Sequence, residues 1–201
     1  MRTAVIIMRR FAGIGPDRAG HLDKWLSAAG GFVGLTAVML ISQVHLGTAG
    51  RVGLVASMGA SAVLLFAVPH GPLSQPWAVL GGHLVSAVIG VACAKLIAQP
   101  LFAAPLAVSV AIGAMHYLRC IHPPGGATAL NAVVGGEAVQ QLGFQFVLTP
   151  VLLNAITILL IALLFNYPFA WRRYPVGLAN WKSRKTPGQR ESAALAERAH
   201  E

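Results

Sequence analysis

The sequence predicts an all-α integral membrane protein with about six membrane segments, arranged as two inverted three-segment repeats. Three observations lead there. Of the 201 residues, 56% are hydrophobic and only 10% charged, and the mean hydropathy is +0.67. A soluble domain of this size cannot hide so much apolar surface. Long apolar runs recur along the chain, and the basic residues gather outside them.

The formal charge of +9 invites a nucleic-acid reading until the Lys and Arg residues are placed. Arg2, Arg9, Arg10, Arg18 and Lys24 precede the first long apolar run, and Arg172, Arg173, Lys182, Arg184, Lys185, Arg190 and Arg198 follow the last. Basic flanks resist translocation, so both termini are expected in the cytoplasm and the number of crossings should be even. No aromatic interleaving accompanies the basic tails, so nucleic acid is not an expected partner. Anionic lipid headgroups are. The apolar run from Ala4 to Met8 is too short for a signal peptide, which leaves the first true span as the insertion signal. The expected setting is a bacterial inner (plasma) membrane.

A spanning helix needs about 20 residues. The first candidate runs from Trp25 to Leu46, the second from Val52 to Val68, the third from Trp77 to Ala98 and the fourth from Pro105 to Leu118. A weaker fifth segment, Pro123 to Val134, precedes the most continuously apolar one, Phe144 to Phe165. Five of these pass a hydropathy test alone, and the even count asks for the sixth. Residues 123–134 are too short and too rich in Gly and Pro for an ordinary span, but they suit a broken or re-entrant helix shielded by its neighbours. Residues 52–68 are read the same way, because Gly59-Ala60-Ser61-Ala62-Val63-Leu64 matches Gly126-Ala127-Thr128-Ala129-Leu130-Asn131 in pattern. Each precedes a helix opened by proline, Pro76 or Pro150. Hence the expected repeat.

Gly30, Gly31 and Gly34, and Gly82, Ser86 and Gly90, recur at spacings that make close-packing helix faces, and such faces are compatible with a homo-oligomer. Cys93 and Cys120 have no metal-ligand spacing and are read as packing residues. Three divisions result: a basic cytoplasmic segment over 1–24, the membrane domain over 25–171, and a basic, mobile cytoplasmic tail over 172–201 that cannot bury enough apolar surface to fold alone.

The stretch from Arg119 to Asn131 carries the chemistry. A helix starting near Pro124 would leave the N–H groups of Gly125, Gly126 and Ala127 without intrahelical partners, and the helix dipole adds positive potential there. Small anions are held in this way. His122 and Thr128 supply further donors, although His122 has the alternative of bonding a freed backbone carbonyl. Arg119 is expected to snorkel to the headgroups. Ser57, Gly59, Ala60 and Ser61 are the counterparts in the second segment, and inverted units would bring the two helix starts together near the midplane. Gly59 and Ser61 have the alternative of tight packing only. His83, Gln75, Asn131 and Asn154 either line a path or bond across helices. The single acid between the tails is Glu137, so an anion meets little repulsion. No nucleophile with its base, metal ligand set or cofactor motif stands out in the sequence.

His122-Pro123-Pro124-Gly125-Gly126-Ala127-Thr128-Ala129-Leu130, with Gly59 to Leu64 and the text from Gln75-Pro76 to Gly81-Gly82-His83, resembles the HPP family of integral membrane proteins. The resemblance covers roughly Trp25 to Trp171. It implies a membrane domain of a kind for which nitrite transport is reported. The expected function is therefore passage of a small monovalent inorganic anion, nitrite before others. The alternatives are an anion sensor or scaffold that binds without transport, and an intramembrane enzyme.

Overall fold

A computed structural model of the chain describes residues 8, 11–13, 19–42 and 48–179. All regular structure among them is helical. The helices are α1 (His21–Ser42), α2 (Thr48–Ala67), α3 (Pro76–Leu96), α4 (Pro100–Tyr117), α5 (Pro123–Val134), α6 (Glu137–Leu142), α7 (Leu153–Asn166) and the short α8 (Val176–Ala179). Short 3-10 turns lie at Pro72–Ser74 and Ala170–Arg172, and a π-helical segment, Val147–Leu152, runs into α7.

Among the described residues four helices are long and apolar enough to cross a membrane: His21–Ser42, Pro76–Leu96, Pro100–Tyr117 and Val147–Asn166. The expectation was five. The second segment folds as the continuous helix Thr48–Ala67, whose apolar stretch Gly53–Ala67 is shorter than a span. The fifth segment is a helix of 12 residues, about 18 Å long, and cannot span a hydrocarbon core of about 30 Å by itself.

Prolines set several starts. Pro76, Pro100 and Pro123 each stand in the first turn, where the missing N–H has no intrahelical partner to lose. The fourth segment therefore begins at Pro100, not at Pro105. Pro105 lies inside the helix, and the first turn is closed before it by Phe102 and Ala103 N–H groups donating to Gln99 O, both at 3.0 Å. Pro150 does not open a helix either. It follows Thr149, whose extended backbone (φ −134°, ψ 108°) is what a residue before proline favours, and regular α-helix resumes at Leu153.

Within a membrane, apolar side chains gain little by leaving lipid for one another, so close backbone approach has to hold the helices together. Gly82 and Gly90 make that approach between α3 and α5. A Cβ at Gly82 would sit 2.5 Å from His122 Cβ, and one at Gly90 would sit 2.6 Å from Ala129 O. Gly30 and Gly34 of α1 receive the Phe66 ring, but Gly31 points elsewhere and has nothing within 4 Å of where its Cβ would be. One turn separates the first two, whereas Gly31 is rotated off their face. Phe32, Leu101, Leu106 and Leu164 are exposed on the outside of the bundle, as lipid-facing residues should be.

The body continues past Trp171, where the sequence suggested a mobile tail. Arg172 is 2% exposed and Tyr174 1%. The Arg172 guanidinium pairs with Asp23, donates to Ser27 Oγ at 3.1 Å and Asn166 Oδ1 at 3.1 Å, and also donates to the Phe66 carbonyl at the end of α2. Five donors in a planar fork are what let one residue hold α1, α2 and α7. This clamp shows that the described chain enters and leaves the bundle at the same end. Trp77 Nε1 donates to Leu118 O at 3.0 Å, which brings the start of α3 and the end of α4 together. Exposed Trp25, Trp77 and Trp171 suit an interfacial aromatic belt. Residues 1–7, 9–10, 14–18 and 180–201, which carry most of the expected basic tails, and 43–47, which include the expected end of the first span, lie outside the described residues.

Two stability outcomes follow. Gly90→Ala overpacks the α3–α5 seam and lowers stability by about 1–3 kcal/mol, while Gly113→Ala, where nothing lies within 4 Å, leaves it unchanged or higher. Arg172→Lys keeps the charge but loses the fork, so it loses at least one charged hydrogen bond, about 1.5–3 kcal/mol. Thermal denaturation in detergent checks both, and wild-type stability of Arg172→Lys would contradict the clamp.

Candidate functional site

Five polar side chains meet in the interior where α2, α3 and α5 cross. Ser57 and Ser61 come from the middle of α2, His83 from the first half of α3, His122 from the N-cap of α5 and Thr128 from its second turn. All five are fully buried. The spacing Ser57 to Ser61 puts both hydroxyls on one helix face. Gly82 and Gly125 let the imidazole of His122 and the start of α5 approach α3, since a Cβ at Gly125 would lie 2.7 Å from Gly82 O and 2.8 Å from Ser86 Oγ.

Ser61 is the hub. Its Oγ lies 2.9 Å from His83 Nε2 and 2.9 Å from His122 Nε2. The two rings meet edge to face, with centroids 4.9 Å apart. His83 Nδ1 lies 2.8 Å from Thr128 Oγ1, and His122 Nδ1 lies 2.8 Å from the Leu73 carbonyl. Thr128 Oγ1 is 3.3 Å from Ser57 Oγ and 3.4 Å from the Pro124 carbonyl.

A carbonyl can only accept, so His122 carries its proton on Nδ1 and donates to Leu73 O. In the neutral ring Nε2 must then accept, and Ser61 donates to it. The one hydroxyl proton of Ser61 is thereby used, so His83 Nε2–H donates to Ser61. His83 Nδ1 accepts in turn from the Thr128 hydroxyl. One carbonyl thus fixes both tautomers and the direction of the bonds that run from Leu73 O through His122, Ser61 and His83 to Thr128.

Leu73 is itself held. Ser74 Oγ donates to Leu64 O at 3.0 Å and Val68 O at 2.8 Å, Gln75 Nε2 donates to Pro69 O and Gly71 O, and the Tyr174 hydroxyl donates to Ser74 O at 2.7 Å. Burial pushes the Tyr174 phenol above its ordinary pKa, so it stays a donor.

The structure brings together Ser57, Ser61, His122 and Thr128 of the residues expected from the sequence, and adds His83. It does not bring Gly59, Ala60, Gly126 or Ala127 to the cluster. Ala60 and Ala127 are exposed, and Gly59 faces an open groove between α1 and α2 beside Ala28, Gly31, Ala62 and Val63. Gly126 turns towards Val108 of α4. The Gly125 N–H donates to His122 O at 2.8 Å, and its Cα face is filled by α3, so no open backbone cradle exists there. Nor do two helix starts face each other, because Ser57 to Ser61 lie inside a continuous helix. Arg119 and His116 are exposed. His122 does bond a backbone carbonyl, the plainer of its two expected roles, while its other nitrogen faces the cluster. Asn154 Nδ2 donates to Ser42 Oγ at 2.7 Å, and Gln75 braces its own loop, so both act between or within helices.

The sequence profile of the HPP transmembrane region matches residues 16–175, which include all five cluster residues. The chain belongs to the HPP family. Two relatives are transmembrane proteins of Dictyostelium discoideum. One is 41% identical over 157 residues, covering 76% of this chain and 49% of its own, and the other is 40% identical over 179 residues, covering 84% and 61%. The chain therefore spans about half the length of the first relative and about three-fifths of the second. No solved structure matches. This HPP protein is an integral membrane protein, by family and by its four long apolar helices.

Sequence reading expected Ser57, Ser61, His122 and Thr128 to meet, but missed that Ser61 bridges two imidazoles, His83 and His122, which stand 22 and 61 positions from it. A usable signal was Gly82-His83, a glycine beside a histidine in an apolar helix. Ser61→Ala leaves both facing imidazole nitrogens without a partner, and each buried unsatisfied group costs about 1–3 kcal/mol. Ser57→Ala costs less, because that hydroxyl returns to Leu54 O of its own helix at 2.8 Å. Unfolding midpoints of the two variants in detergent should fall in that order, and the reverse order would contradict Ser61 as hub.

Proposed function

We propose that this HPP protein transports a small monovalent anion, with nitrite the first candidate. One observation carries the reading: a fully buried cluster of hydroxyl and imidazole groups inside a membrane bundle, with no carboxylate among its members. Buried polar groups inside a membrane are costly and tend to mark function. The hydroxyl and imidazole donors of the cluster can turn from their neighbours to an anion, and the start of α5 adds positive potential behind His122 and Thr128. The cluster is closed by packing, which supports a gated path that opens when helices shift, rather than a standing pore. The basic residues outside the bundle support a cytoplasmic location for the end that carries Asp23, Trp77 and Arg172, with anionic headgroups around it.

One contact favours a second reading. A serine hydroxyl 2.9 Å from a histidine nitrogen, with the other ring nitrogen oriented by a carbonyl, is the arrangement of a nucleophile and its base. Against it, Ser61 is fully buried, and no oxyanion donors or substrate cleft adjoin it among the described residues. We read the chain as a non-enzyme.

Purified protein in vesicles should take up nitrite faster than protein-free vesicles do, and His122→Ala should slow that uptake tenfold or more. Nitrate, chloride, formate and bicarbonate rank the selectivity, and a flat response to all five anions overturns the transport reading. A serine-directed fluorophosphonate should leave Ser61 unlabelled. Labelling that is lost in Ser61→Ala would instead establish the enzyme.

A further inference from the structure

The geometry points to a proton as the companion of the anion: we propose that the Ser61–His122 junction takes up one proton together with one anion, so that the pair binds as a neutral unit. This rests on the anion reading above and adds the co-substrate.

The argument begins with what the junction does when His122 gains a proton on Nε2. Both ring nitrogens then donate, Nδ1 to Leu73 O as before and Nε2 to Ser61 Oγ. Ser61 must release its own proton elsewhere, and a second acceptor waits: the Ser57 carbonyl lies 3.2 Å from Ser61 Oγ. Rotating one hydroxyl from His122 Nε2 to Ser57 O completes the change. The Ser61 oxygen then accepts from both imidazoles, which its two lone pairs allow. His83 keeps its donor on Ser61 and its acceptor towards Thr128. Every polar atom of the chain is paired in both protonation states, and no backbone or ring has to move. A histidine held only for packing needs no such second arrangement.

What the junction lacks is a counter-charge. The groups that touch His122 are His83 from α3, the Ser61 hydroxyl from α2 and the Leu73 carbonyl from the 68–75 loop, with Thr128 and Ser57 one contact further on. Cys120 precedes it in its own loop, and Tyr174 bonds Ser74 O of the 68–75 loop. Among the described residues the carboxylates are Asp23, paired with Arg172, and Glu137, exposed and bonded by Gln141. Neither touches the cluster. A protonated His122 would therefore be an unpaired cation in a water-poor interior, which is strongly unfavourable, and an anion alone would meet neutral donors only. Each supplies what the other needs. Proton and anion binding are then linked, each tightening the other by the same factor. The charges balance as one proton plus one monovalent anion, so a transport cycle moves no net charge.

Two measurements on the full-length protein test this, with sodium nitrite as the probe. In weakly buffered detergent solution, nitrite binding should take up about one proton per site, and its affinity should fall about tenfold for each pH unit of increase above the range where the site protonates. In vesicles, nitrite entry should follow an imposed pH gradient and ignore a membrane potential clamped with potassium and valinomycin, with protein-free vesicles subtracted. His122→Gln, which cannot hold the extra proton, should lose the proton uptake and the pH-gradient drive. Flux that follows the potential, with no linked proton, overturns the pair and leaves transport standing. Linked proton uptake without flux supports the pair and removes transport. Binding that is flat with pH and releases or takes up no proton, with no flux, overturns both.

Discussion

A hydroxyl has one proton to donate and two lone pairs to offer, and Ser61 stands 2.9 Å from an imidazole nitrogen on either side. That single proton orders the whole interior. Because Leu73 O can only accept, the serine proton goes to His122, and the remaining bonds to His83 and Thr128 follow without choice. The helices around Ser61 are arranged to deliver three elements to a point, and the two glycines on facing helices remove the side chains that would keep them apart.

The support for Leu73 O lies outside the membrane segments. Leu73 sits on the loop between α2 and α3, braced from within by Ser74 and Gln75 and from outside by Tyr174. Tyr174 follows Arg172, whose guanidinium ties the end of α7 to the start of α1 and the end of α2. A stretch that reads as a polar tail is in this way part of the frame that aims an imidazole in the core. Such outer contacts commonly decide how precisely a polar site is held.

Much of this was legible in the residues. Composition and the placement of Lys and Arg predicted a helical membrane protein, and the Pro-Pro-Gly-Gly text marked a short helix that begins at Pro123. Ser57, Ser61, His122 and Thr128 were singled out and do meet. Reading along one strand of text could not show that Gly125 is filled by α3, or that Ala60 and Ala127 turn outward, because facing is a property of packing between segments. The burial of Arg172 was hidden for the same reason: its partners Asp23 and Phe66 lie 149 and 106 positions away. Helix limits erred where proline was ambiguous. Pro105 reads as a start but lies within a helix whose first turn had already closed at Gln99.

The contact between Gly82 and His122 bears on how such a sequence can change over evolutionary time. The Cβ of His122 occupies the space where a side chain at position 82 would begin. Any residue other than glycine at 82 would press on the imidazole and, at 3.0 Å, on the Cys120 carbonyl, so a smaller side chain at 122 would not by itself make room. Position 82 is closed to every residue but glycine for as long as the start of α5 keeps its place against α3.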